Sequence, residues 1–135
     1  MDKKELTDLM AAAAEDAVVF AQQQFQLALD YTVESVSTVD KLINDLAVRH
    51  RQKALPDAEI FTLSNIFGAY IGQIFLQTIG GDWSYQQADE QAPFVTLNYG
   101  NHEYPFASVV YHKLVVNTDV RLREYLRLAI TNSTQ

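Results

Sequence analysis

A chain of 135 residues, 48% hydrophobic and 20% charged, suits one globular domain with one core and lies far from the composition of a disordered segment. Its net charge of −7 argues against nucleic-acid binding, and the absence of cysteine removes disulfide and thiolate chemistry. The charge is uneven. No Lys or Arg falls between Ala54 and His112, a stretch that holds Asp57, Glu59, Asp82, Asp89, Glu90 and Glu103, whereas Lys113, Arg121, Arg123 and Arg127 follow it.

The start of the chain, MDKKELTDLM, is charged and then helical. It lacks the hydrophobic run and cleavage site of a signal peptide, so the expected location is the cytoplasm. A first helix is predicted over 6–28. It is rich in alanine at 11–14, with Ala17, Phe20, Ala21, Gln24 and Leu27 on one face and Val18, Phe25 and Leu29 widening it. Asp30-Tyr31-Thr32 breaks the pattern. Asp30 or Thr32 can cap a second helix over 33–51, with Glu34 in its first turn and Val36, Val39, Ile43, Leu46 and Ala47 as a narrow seam. The basic end, Arg49, His50, Arg51 and Lys53, matches the negative pole of that helix better than it matches a binding patch.

After Leu55-Pro56, with Asp57 as the expected cap, comes the most apolar stretch, FTLSNIFGAYIGQIFLQTIGGDW from Phe61 to Trp83. Leu63, Ile66, Phe67, Tyr70, Ile71, Ile74 and Ile79 recur at helical spacing, and Phe75 and Leu76 extend the apolar surface nearly all round. A helix of that kind belongs in a core. Its uninterrupted part is short of the roughly 20 apolar residues that a membrane span needs. Ser64, Gly68 and Gly72 place a small residue every four, a ridge that lets a neighbouring backbone approach. Gly80 and Gly81 supply the helix stop.

Beyond Gly81 the period becomes two. Strands are predicted at 82–85, 94–99 and 102–104, the last two joined by the hairpin signal Gly100-Asn101, with Gln86 to Ala92 as a polar loop and Pro105 ending the third. A short helix over 108–116 and an amphipathic helix over 120–130 complete the chain, and 131–135 should fray. The fold expected is α+β: a single domain over 1–135, in which three long helices and one or two short C-terminal ones pack around a three-stranded antiparallel meander. A sheet that small needs a cover, and the central helix is the natural one.

The chemistry is sparse. His50, His102 and His112 show no helical metal spacing, no G-x-S-x-G elbow occurs, and the double glycine follows a helix rather than a strand, so no catalytic residue, metal or cofactor is expected. The aromatic density is more informative. Tyr85, Tyr99, Tyr104 and Trp83 cannot all point inward if Phe94, Val95 and Leu97 share their strands. An exposed Tyr or Trp in an acidic setting suits protein binding.

Three segments together, Leu29-Asp30-Tyr31 with Glu34-Ser35, Phe67-Gly68-Ala69-Tyr70-Ile71-Gly72 with Gly80-Gly81-Asp82-Trp83, and Tyr104-Pro105-Phe106, resemble a group of small bacterial domains of unknown function. Some members look like immunity or accessory proteins encoded beside toxins. The resemblance spans about residues 15–130. Its motifs are structural, so it carries over no functional residue. An acidic residue often follows the second glycine in that group, and Gln73 stands there in this chain.

Three readings of function follow. One is a binding protein, immunity-like, that meets a basic partner such as a nuclease toxin through Asp82, Trp83, Tyr85, Asp89, Glu90, Tyr99 and Glu103. The competing account of that surface has Arg121, Arg123 and Arg127 covering it from the last helix. A second reading is a small-molecule or enzymatic domain with its pocket between central helix and sheet. The third is a homodimer joined through the glycine ridge. No nucleic acid or membrane is expected in any of them.

Overall fold

The computed structural model describes residues 2–86 and 94–134, and the side chains of Gln86 and Phe94 are not among those described. The elements in order are α1 (Lys3–Phe25), α2 (Val36–Gln52), α3 (Asp57–Thr78), β1 (Asp82–Gln86), β2 (Phe94–Tyr99), β3 (His102–Tyr104), α4 (Phe106–Tyr111), a π-helical turn (His112–Val116) and α5 (Leu122–Ser133). The strands form one antiparallel sheet in the order β1-β2-β3. The α+β architecture expected from the sequence is the one observed.

α3 is the centre. Every residue from Ile66 to Gly72 is buried, and Phe67, Ala69, Tyr70 and Phe75 have no exposed surface. It is long and apolar enough to cross a membrane, yet 67% of its apolar window is buried inside the fold, which is the signature of a core helix. α1 lies against it along Leu6, Met10, Ala14, Ala17 and Ala21, so the alanines bring the two helices close. That stripe begins earlier than the predicted face, and Gln24, expected on it, is exposed. α1 also ends at Phe25 rather than at 28. Gln26 takes a left-handed conformation with φ 56°, and its N–H bonds to the Gln22 carbonyl. No glycine or asparagine marks that stop in the sequence.

The glycine ridge is filled from within the chain. A Cβ on Gly68 would sit 2.5 Å from the Ala107 Cα of α4, and one on Gly72 would stand 2.5 Å from the Trp83 Cζ2. A dimer would therefore need another surface. Gly80 and Gly81 both adopt positive φ, 117° and 118°, which is what turns the chain from α3 into β1.

Several local expectations shift. Asp57 is the first residue of α3, and Pro56 precedes it with no side-chain cap. Thr32 does accept from the Ser35 N–H at 3.1 Å, but it fastens a turn over 33–35, so α2 opens at Val36 and Glu34 lies outside it. His50 Nδ1 accepts from the Leu55 N–H at 3.0 Å, and the Arg49 guanidinium lies 5.0 Å over the Phe25 ring, so the basic end of α2 serves the helix stop and its packing. The short helix begins earlier than predicted, at Phe106, directly after Pro105, and widens into the π turn. The last helix runs on to Ser133 because Tyr104 reaches the Ala129 carbonyl and the Ser133 hydroxyl, holding residues expected to fray.

Candidate functional site

Strand register sorts the meander side chains. Trp83 pairs with Leu97, which pairs with Tyr104; Tyr85 pairs with Val95, and Tyr99 with His102. Paired residues share a face and alternate residues return to it. Trp83, Tyr85, Tyr99 and Tyr104 therefore lie on one face, together with Val95 and Leu97. Only the middle of that face is covered. Trp83, Leu97 and Tyr104 are buried, whereas Tyr85 and Tyr99 at its two ends are 47% and 36% exposed. Tyr99 still leans edge-on against Phe75, with ring centroids 6.2 Å apart.

Trp83 is thus removed from the predicted binding surface, because the groove above Gly72 accepts its ring. Its indole N–H is buried and has no hydrogen-bond partner among the described residues. The opposite face carries Asp82, Asn98 and Glu103 in a row across the three strands. Asp82 pairs at 2.8 Å with Lys3 of α1, a cation from outside its own segment, and both side chains remain more than half exposed. Asp89 and Glu90 lie outside the described residues. The arginines that the competing account set over the sheet have other neighbours: Arg127 pairs with Glu124, and Arg121 and Arg123 line a groove against α2.

Sequence reading missed two polar clusters. The first surrounds Tyr31, a non-glycine residue at φ 61°, a conformation uncommon for an aromatic. Its N–H donates to the Tyr70 hydroxyl at 2.9 Å, its carbonyl accepts from Gln77 at 3.2 Å, and its own hydroxyl donates to Glu15 at 3.0 Å. Tyr70 donates onward to Ser35, 2.6 Å away, whose hydroxyl gives its proton to the Thr32 carbonyl. Burial holds both tyrosine hydroxyls above the ordinary tyrosine value, and the Glu15 carboxylate adds to the effect at Tyr31. Beside Tyr31 is a cavity of about 200 Å³ lined by Ala11, Tyr31, Gln73 and Gln77, which opens between α1 and α3 rather than between α3 and the sheet. Tyr31 and Ser35, from the stretch between α1 and α2, thus meet Tyr70 of α3 in one network.

The second cluster joins α2, the π turn and α5. The Asp40 carboxylate accepts from the Leu122 and Arg123 N–H groups at 2.7 and 3.1 Å, capping α5. Lys113, 2% exposed, donates to the Thr118 and Val120 carbonyls and lies 3.6 Å from Asp40. Both had a signal. Asp40 interrupts the seam of α2 four residues after Val36, and Lys113 is a lone cation in an apolar run. Among the described residues no group of three His, Cys, Asp or Glu side chains is placed to hold a metal ion.

No family model, curated protein or solved structure matches this chain. The functional reading therefore rests on the residues and their geometry.

Proposed function

We propose that this chain is a protein-binding domain in which the Asp82, Asn98 and Glu103 end of that opposite face engages a basic partner. The supporting observation is the row Asp82, Asn98 and Glu103, two exposed carboxylates flanking an amide on adjacent strands. No lysine or arginine of their own segment neutralises them. The Lys3 contact with Asp82 is a surface ion pair of the kind worth about 0–1 kcal/mol, so a partner's cation can replace it. Tyr85 and Tyr99, exposed at the two ends of the other face, are not part of this surface. An immunity-like role for a cytoplasmic protein of this type accords with the resemblance, since basic nucleases are natural partners for such a surface.

The test is kinetic. A partner recovered with the wild-type chain should be basic, and its association should slow as salt shortens the screening length from about 10 Å at 0.1 M to about 3 Å at 1 M. Asp82→Lys with Glu103→Lys should slow it further at an unchanged melting temperature. An acidic partner, or an association rate indifferent to salt and to the double reversal, refutes the reading.

A further inference from the structure

The groove above the Asp40 and Lys113 latch has a volume of about 460 Å³, within the roughly 300–1,000 Å³ of small-molecule sites. Its wall is drawn from α2, from the turn before α5 and from the start of α5, with Ser37, Lys41, Thr118, Asp119, Arg121 and Arg123 around the opening. The charges there do not cancel. Asp40 is engaged by Lys113 and by two backbone N–H groups, and Glu124 by Arg127 at 2.5 and 3.0 Å. The Arg127 hydrogen bonds, with the nearby Arg121 and Arg123 charges, hold Glu124 below the ordinary carboxylate range. Among the described residues, that leaves Lys41, Arg121 and Arg123 facing Asp119 alone, in a molecule whose net charge is −7. Four of the ten Lys and Arg side chains of an acidic protein, Lys41, Lys113, Arg121 and Arg123, thus line one cavity.

The frame of this cavity is held by hydrogen bonds. Asp40 ties α5 to α2, and the π turn, closed by the Asn117 N–H on the His112 carbonyl at 2.8 Å, points Lys113 inward to hold the 118–120 backbone. π turns recur at functional sites, where the wider turn redirects a side chain. Here it sends an ammonium group to the floor and leaves the guanidinium groups at the rim. From this geometry we infer that the groove binds a small soluble phosphate ester or diphosphate. Such an anion offers several acceptor oxygens and two or more charges on a compact centre. That suits two guanidinium forks and an ammonium group better than a single carboxylate does.

The probe is inorganic pyrophosphate, titrated calorimetrically into the full chain at low ionic strength. Saturable one-to-one binding is expected. Arg121→Gln with Arg123→Gln should weaken it by about tenfold or more, the loss expected when charge-assisted contacts to phosphate are removed. Lys41→Gln, on the exposed side of α2, should weaken it independently, which keeps the test valid if the double variant folds poorly. Arg49→Gln with Arg51→Gln, at the far end of α2, should leave it unchanged. Absence of saturable binding overturns the inference. So does equal weakening by both double variants, which would mean diffuse counter-ion attraction. If malonate binds as tightly as pyrophosphate, the phosphate assignment fails.

Discussion

Gly72→Ala sets two effects of known size against each other. Alanine in place of glycine inside a helix gains about 1 kcal/mol of propensity. At Gly72 the added methyl would stand 2.5 Å from the Trp83 Cζ2 and closer still to Cη2. Carbon atoms make contact at about 3.5–4.0 Å, so the indole must withdraw by roughly 1 Å or more. It has little room to do so, being 5% exposed and paired across the sheet with the fully buried Leu97. Overpacking of this kind costs about 1–3 kcal/mol and occasionally more, and an aromatic ring pinned on a sheet belongs at the upper end. The net expectation is a loss of about 1–2 kcal/mol, or roughly 3–8 °C in melting temperature for a chain of this length. Thermal melts followed by fluorescence read both sides of the argument, because Trp83 is the single tryptophan and its emission should shift as the ring moves. Trp83→Leu in the Gly72→Ala background should recover part of the loss, giving a coupling measurable in a double-mutant cycle. A Gly72→Ala protein that melts above the wild type with unchanged emission would show that Trp83 does not pack on Gly72.

Tyr70→Phe should cost about 2–3 kcal/mol, since it leaves the Tyr31 N–H without an acceptor and the Ser35 hydroxyl without a donor; a melting temperature within a degree of wild type would refute the network. Stability should also fall at alkaline pH. Burial raises Tyr31, Tyr70 and Tyr125 above the ordinary tyrosine value, so the folded state retains protons that the unfolded chain releases. Their contribution is complete below about pH 10 and is lost as pH rises beyond it. Ultraviolet titration should show these three ionising only as the chain unfolds, and reversible ionisation of all seven tyrosines in the folded protein would contradict it.

The long-range design was legible because it is written in periodicity. The apolar period around Phe67 and Tyr70, the glycine stop at Gly80 and Gly81, and the Gly100-Asn101 hairpin are each patterns confined to residues nearby in sequence. The misplaced features depend on partners distant in sequence. Trp83 looked like a surface aromatic until α3 placed Gly72 beneath it. Asp82 has no Lys or Arg in its own segment, and α1 brings Lys3 alongside. Tyr31 gives no local hint that it adopts positive φ, since the groups holding it come from Glu15, Tyr70 and Gln77. The groove was visible only as a mildly basic C-terminal stretch, because its depth depends on Asp40, more than 80 residues from the Arg123 N–H it accepts from.

The way α3 is covered also constrains the order of events during synthesis. Both glycines of its ridge are filled by residues made later, Trp83 and then Ala107. Two glycines weaken the helix on its own, each by about 1 kcal/mol against alanine. Until the chain has grown past Ala107, α3 can lean on α1 but presents a bare apolar ridge. The final closure joins segments remote in sequence, the kind of step that slows folding. A nascent chain halted in the meander would therefore display the most hydrophobic surface of the protein, and that interval is where a chaperone would find it.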